Sequence, residues 1–117
     1  MHREQRLRRR KDFDAIYRRG AVQGNRLLVL RVRPNGLPAT RFGFVAGKAV
    51  GNAVTRNLVK RRLRMIAQHA HAQEGLDIVV GARRTAVEAR YTELERAFLA
   101  LLRRAGALER GAQEGKR

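Results

Sequence analysis

The apolar positions change period twice in the first third of the chain. In DFDAIYRRG, Phe13, Ile16 and Tyr17 stand at i, i+3 and i+4, which predicts a short helix with one apolar face. Gly20 follows as a candidate C′ residue. In NRLLVLRVRPNG the period drops to two. Leu28, Leu30 and Val32 alternate with Val29, Arg31 and Arg33, the pattern of a strand with one apolar and one partly basic face. Pro34-Asn35-Gly36 signals a turn. A second strand is expected in TRFGFVAGK, with Phe42, Phe44 and Ala46 on one face and Val45 on the other, where Gly43 and Gly47 keep that face thin. The two strands are expected to pair antiparallel across the turn.

The helical period returns after Gly51-Asn52, a breaker followed by a candidate N-cap. Val59, Leu63, Ile66 and Ala70 fall in one stripe, and Arg56, Asn57, Lys60, Arg61 and Arg64 cover an adjacent arc of about 140°. Beyond Gly75, LDIVVGA is a nearly continuous apolar run and reads as a strand covered on both faces. RRTAVEARY reads as an irregular connector. In TELERAFLALLRRAG, Leu94, Phe98, Leu101 and Leu102 form a stripe, Thr92 and Glu95 suggest a capping box, and Gly106 closes the helix. The order α-β-β-α-β-α predicts an α/β (α+β) two-layer sandwich of three helices on a small mixed sheet. One domain is expected over residues 1–106, with a disordered tail at 107–117.

Charge alters this outline more than composition does. The 117 residues carry 27 Lys and Arg against 10 Asp and Glu, a net charge of +17, which calls for a polyanionic partner. Residues 15–73 contain no acid at all, whereas a merely solvated face mixes both signs. No cysteine is present, so disulfides and Cys-based zinc sites are excluded and a reducing cytoplasm is permitted. No apolar run approaches membrane-spanning length, and the Arg-rich start has no apolar core of a secretory signal.

Candidate chemistry is sparse. His69 and His71 lie about 200° apart on a helix and cannot share a metal ion from one face. Asp12 and Asp14 read as cap and dipole partners, and Asp77 stands alone beside a strand. With no base–nucleophile pair or carboxylate cluster, no protein-borne catalytic site or metal site is expected, nor a small-molecule substrate. GNAVTRN lacks the Gly-Lys-Ser/Thr ending of a phosphate-binding loop. Phe13 fits a core position, and Tyr17, beside Arg18 and Arg19, fits either a core edge or a base-stacking surface. Charge and size alone fit a structural ribosomal protein equally well; a protein-only nuclease is a third reading.

The run from Lys48 to Arg64 separates these readings. Lys48, Gly51, Asn52, Ala53, Val54, Arg56, Asn57, Lys60, Arg61 and Arg64 match the pattern Lys-x-x-Gly-Asn-Ala-Val-x-Arg-Asn-Arg-x-Lys-Arg-x-x-Arg. With Asp12-Phe13 and Tyr91-x-Glu93-Leu94, this chain resembles the protein subunit of bacterial ribonuclease P over roughly residues 6–105. The resemblance implies a sandwich with a left-handed β-α-β crossover. It also implies a 1:1 partnership with a catalytic RNA that removes the 5′ leader of precursor tRNA in the cytoplasm, using Mg2+ held mainly by that RNA. Carried over, Lys48, Asn52, Arg56, Asn57, Lys60, Arg61 and Arg64 face the RNA, and Phe13, Tyr17 and Arg31 line a cleft for the leader. Two positions depart from the pattern: Leu58 replaces an arginine, and Arg31 stands where the family often carries an aromatic residue.

Overall fold

The computed structural model describes residues 5–109. Three helices, α1 (Arg10–Arg19), α2 (Ala53–His69) and α3 (Tyr91–Arg104), alternate with four strands, β1 (Ala21–Gly24), β2 (Leu28–Pro34), β3 (Arg41–Ala46) and β4 (Leu76–Ala82). Single 3-10 turns occupy Lys48–Val50 and Arg84–Val87, the second inside the expected irregular connector. The predicted sandwich forms because α2 and α3 lay their stripes on one sheet face. Val59, Leu63 and Ile66 of α2 and Leu94, Phe98, Leu101 and Leu102 of α3 are buried against Leu28, Leu30, Phe42, Ile78 and Val80. Each fully buried side chain of this size contributes about 1.5–3 kcal/mol. On the opposite face a smaller cluster joins Leu7, Ile16 and Val79, with Phe13 and Val45 packed on it. There α1 covers only part of the sheet.

The strand order is β1-β2-β4-β3, with β2 and β4 antiparallel and β3 and β4 parallel. The expected β2–β3 hairpin therefore does not form. β4 inserts between the two, since Ile78, Val79 and Val80 are apolar toward both faces and only a central strand is covered on both. The far edge of β2 pairs instead with β1, which was not anticipated. AVQG is too short to display a period. It is held by the turn after it, where Asn25 Oδ1 accepts from the N–H groups of Leu27 and Leu28 at 3.1 and 2.9 Å. Leu7 N–H donates to Phe42 O, so the chain preceding α1 lies along the other edge of β3.

The hand of the β3–α2–β4 crossover follows from these bonds. Asn25 N–H donates to Leu28 O and Arg83 N–H to Leu27 O. Even-numbered residues of β2 therefore bond toward β1, and odd-numbered ones toward β4. Leu28, Leu30 and Val32 carry the side chains that face α2 and α3. For an L-residue viewed from its side-chain face with the strand running up, the N–H and C=O point right. Seen from α2 with β2 running up, β1 thus lies on the right, and β4 and then β3 lie on the left. Rotated so that β3 runs up, β4 is on its left with α2 in front. A right-handed unit would place β4 on the right. The crossover is left-handed, as the resemblance implies.

Helix ends differ in how legible they are. Asn52 caps α2, its Oδ1 accepting from Thr55 N–H at 2.9 Å, and Gly51 adopts φ +144°, open to glycine alone. Gly106, at φ +69°, ends α3, with Gly106 N–H to Arg103 O and Ala107 N–H to Leu102 O. The expected Thr92–Glu95 box is displaced. α3 starts at Tyr91, and Glu93 accepts from Arg90 N–H at 2.9 Å. Gly20 ends α1 with an extended φ of −74°, and its reason is space: a Cβ there would stand 2.5 Å from Ile16 O. The chain also stays folded past the expected boundary. Ala107 is buried and Leu108 bridges Ala72, so residues 107–109 belong to the domain; the rest of the expected tail, 110–117, lies outside the described residues.

Candidate nucleic-acid interface

Two surfaces collect the residues singled out from the sequence. The first is the outer side of α2. Asn57 and Arg61 are exposed, and Arg56, Lys60 and Arg64 are half-buried at their stems. Arg64 lays its guanidinium 5.9 Å from the centre of the Phe44 ring, which ties the basic arc to β3. The Nε atoms of Arg56 and Arg64 are covered and donate to no described protein acceptor. Lys48 is exposed on the 3-10 turn before the helix. The Oδ1 of Asn52 serves the cap, which gives that residue a local role whatever else it contacts. Leu58, in place of the expected arginine, forms an exposed apolar strip with Val54 and Met65 beside the cationic arc. A groove lined by Val54, Asn57, Leu58, Lys60, Arg61 and Arg64 runs along this side.

The second surface lies between α1 and the open part of the sheet. Cross-strand register aligns Val22, Arg31, Val79 and Gly43 in one row facing α1. Phe13 rests an edge of its ring on Gly43: a Cβ there would meet Cε1 and Cζ at 2.7 Å. Phe13 is therefore a half-buried wall of the cleft. Tyr17, one turn later, is 46% exposed. Arg31 stacks on it with its guanidinium carbon 4.6 Å from the ring centre. Such a pair contributes about 0.5–1 kcal/mol where water reaches it and more where it does not. The contact places the guanidinium over one face of the ring.

The position of α1 depends on an ionic relay that the sequence conceals. Asp77, buried in β4, accepts from Arg41 Nε and Nη2 at 2.8 and 2.7 Å and from Asn35 Nδ2 at 3.0 Å. Arg41 Nη1 then reaches Asp12 on α1 at 3.5 Å. Asp77 is thus not isolated, and Asp12 does more than complement a helix dipole. The Asp77 hydrogen bonds hold the Arg41 pKa above its ordinary value; burial opposes this in part, and the charges of Asp77 and Asp12 reinforce it. The relay accounts physically for Asp12-Phe13. Asp12 fixes the start of α1 over β3, and Phe13 drops onto the glycine beside it.

Among the described residues no three His, Asp or Glu side chains gather as a metal site. Asp12 and Asp77 are both paired with Arg41. What the two surfaces offer is guanidinium forks, an ammonium group and one ring face, the set that binds phosphates and bases.

Comparison with known proteins agrees. A family profile described as Ribonuclease P matches residues 1–106. The Ribonuclease P protein component of Alkaliphilus oremlandii is 38% identical over 101 residues, spanning 85% of this chain and 89% of that protein. The component of Streptococcus pyogenes serotype M49 is 38% identical over 112 residues, 95% and 94% of the two chains. Among solved structures, the RNase P protein of Staphylococcus aureus superposes with a TM-score of 0.81 at 29% identity, covering 90% of this chain and 98% of that one. The protein from Thermotoga maritima gives 0.78 at 32% identity, over 85% and 96%.

Proposed function

Since this chain belongs to the ribonuclease P protein family, we propose that its two surfaces divide the work of the enzyme's protein component, the α2 arc binding the RNA subunit and the α1–sheet cleft taking the 5′ leader of precursor tRNA. Membership in the family decides against the structural ribosomal protein. The chain is an accessory subunit of an endoribonuclease, with the chemistry carried by the RNA, one protein to one RNA.

The α2 arc supports the first half. Arg56, Lys60, Arg61 and Arg64 project from an arc of the helix adjacent to its buried stripe, so their charged ends reach phosphates while the stripe stays in the core. Each neutralised phosphate releases condensed counterions, which makes the association salt-dependent. Lys48 and Asn57 extend the same surface. In the cleft, Phe13 and the Arg31–Tyr17 pair offer a strip on which a single strand lies by charge and stacking, largely without reading sequence. The donor set does not fit a protein-held magnesium site among the described residues, so on this reading Mg2+ belongs to the RNA. No described helix is long and apolar enough to cross a membrane.

The observation that carries the leader half is the half-exposed Tyr17 ring in the cleft with the Arg31 guanidinium over it. Its test is the affinity of the reconstituted enzyme for precursor tRNA as the leader is shortened from several nucleotides to none. Affinity should fall with length, and Tyr17→Ala should remove about 1–3 kcal/mol from leader-bearing substrate while leaving leaderless tRNA unaffected. An affinity independent of leader length overturns the cleft assignment.

A further inference from the structure

Helix α2 carries a second apolar ridge on the side away from the sheet. Six large apolar side chains are exposed among the described residues, and three of them, Val54, Leu58 and Met65, belong to this one helix. At about 100° per residue, these three and Arg61 fall within an arc of about 60°. The buried stripe of Val59, Leu63 and Ile66 lies roughly opposite, and the cationic arc runs between the two. The ridge is no extension of the core: Val54 is 78% exposed, Met65 47% and Leu58 38%. Single apolar residues on a surface are ordinary, but three aligned along about 16 Å of helix make a strip that a partner can cover.

The surroundings select that partner. Val54 and Leu58 line one groove with Asn57, Lys60, Arg61 and Arg64. No acid lies anywhere in residues 15–73. A second copy of this helix would set cations against cations. A lipid surface calls for aromatic anchors on the apolar face, and this ridge has none. A nucleotide offers an anion and an apolar plane in one unit. In a duplex the base faces are hidden in the stack, so only an unpaired, unstacked base can present one.

We propose that the Val54–Leu58 ridge, extended by Met65, seats an unpaired nucleobase of the RNA subunit. The flat face of the base lies on the two aliphatic side chains, with its flanking phosphates at Lys60, Arg61 and Arg64. Asn57, exposed in the same groove, offers an amide donor and acceptor to the edge of the base. This rests on the assignment of α2 to the RNA subunit and names the kind of nucleotide that the helix takes. Leu58 is then a replaced contact, not a lost one. An arginine there would release counterions on meeting a phosphate; a leucine under a base releases none, so its share of the affinity does not fade with salt.

The test measures binding of the full chain to the RNA subunit across a salt series, with 2′-hydroxyl acylation of the RNA in the complex. Leu58→Ala should weaken binding about three- to tenfold at every salt concentration and leave the salt slope unchanged. At least one unpaired nucleotide protected by the wild type should regain reactivity. Val54→Ala should act in the same way, and it carries the test if Leu58→Ala alters the circular dichroism of the free protein. Unchanged affinity in both variants, while Arg61→Ala and Arg64→Ala still lower the slope, overturns the ridge alone. So does weakening with no nucleotide regaining reactivity, or a loss confined to self-association or to pelleting with anionic phosphatidylglycerol vesicles. Slopes unchanged in the arginine variants as well overturn the assignment of α2 to the RNA.

Discussion

Arg61 and Arg64 sit on the same basic arc, but their settings differ. Arg61 is exposed, whereas Arg64 is half-buried over Phe44 with its Nε covered. If each contacts one phosphate, Arg61→Ala and Arg64→Ala should each lower the slope of log affinity against log salt by about one for the RNA subunit. Filter binding across a salt series reads this directly, and an unchanged slope removes that residue from the interface. Side chains on this arc were legible from sequence because a helix repeats every 3.6 residues and nothing else competes for an acid-free outer face. The arginines at Gly24 were not. Arg83 Nε donates to Asn25 O and Arg104 Nη1 to Gly24 O, contacts that arise only because β4 and α3 both end near the β1–β2 turn. The one local hint was the glycine preceding Asn25, a position where a side chain would have displaced an arginine.

At the level of elements, every long periodic segment was readable, and the errors lie in how they associate. The stripes of α2 and α3 and the two-sided apolarity of β4 state what each must bury. They do not state which neighbour supplies the cover, so the Pro34-Asn35-Gly36 turn suggested a hairpin that β4 in fact interrupts. The same gap hid the relay that seats α1. Asp77, Arg41 and Asp12 come from three elements, and only the parallel register of β3 with β4 sets Arg41 opposite Asp77. Arg41→Leu should destabilise the fold by about 3–5 kcal/mol, because Asp77 would remain buried without its cation. Asp12→Asn removes only the outer, longer contact and should cost at most about 1 kcal/mol. Urea unfolding of the two variants distinguishes them; equal costs would mean that the relay does not organise this end of the sheet.

For the whole molecule, a charge of +17 on 117 residues opposes compaction wherever no anion is present. Anions that bind the folded surface must therefore raise the melting temperature beyond the effect of ionic strength. Pyrophosphate should raise the midpoint followed by circular dichroism more than sodium chloride of equal ionic strength. Matched curves would show that screening alone suffices and that no surface is shaped for phosphate. The strand order also governs how the molecule comes into being. β2 and β3 leave the ribosome well before β4, yet neither pairs with the other, and the strand that joins them spans residues 76–82. A nascent chain that stops short of that strand has a β1–β2 ribbon at most and no sheet on which α2 can rest. The apolar stripe of the arginine-rich helix therefore gains a complete platform only with the last strand, and the late arrival of that short apolar segment fixes which way the cationic side of the helix points.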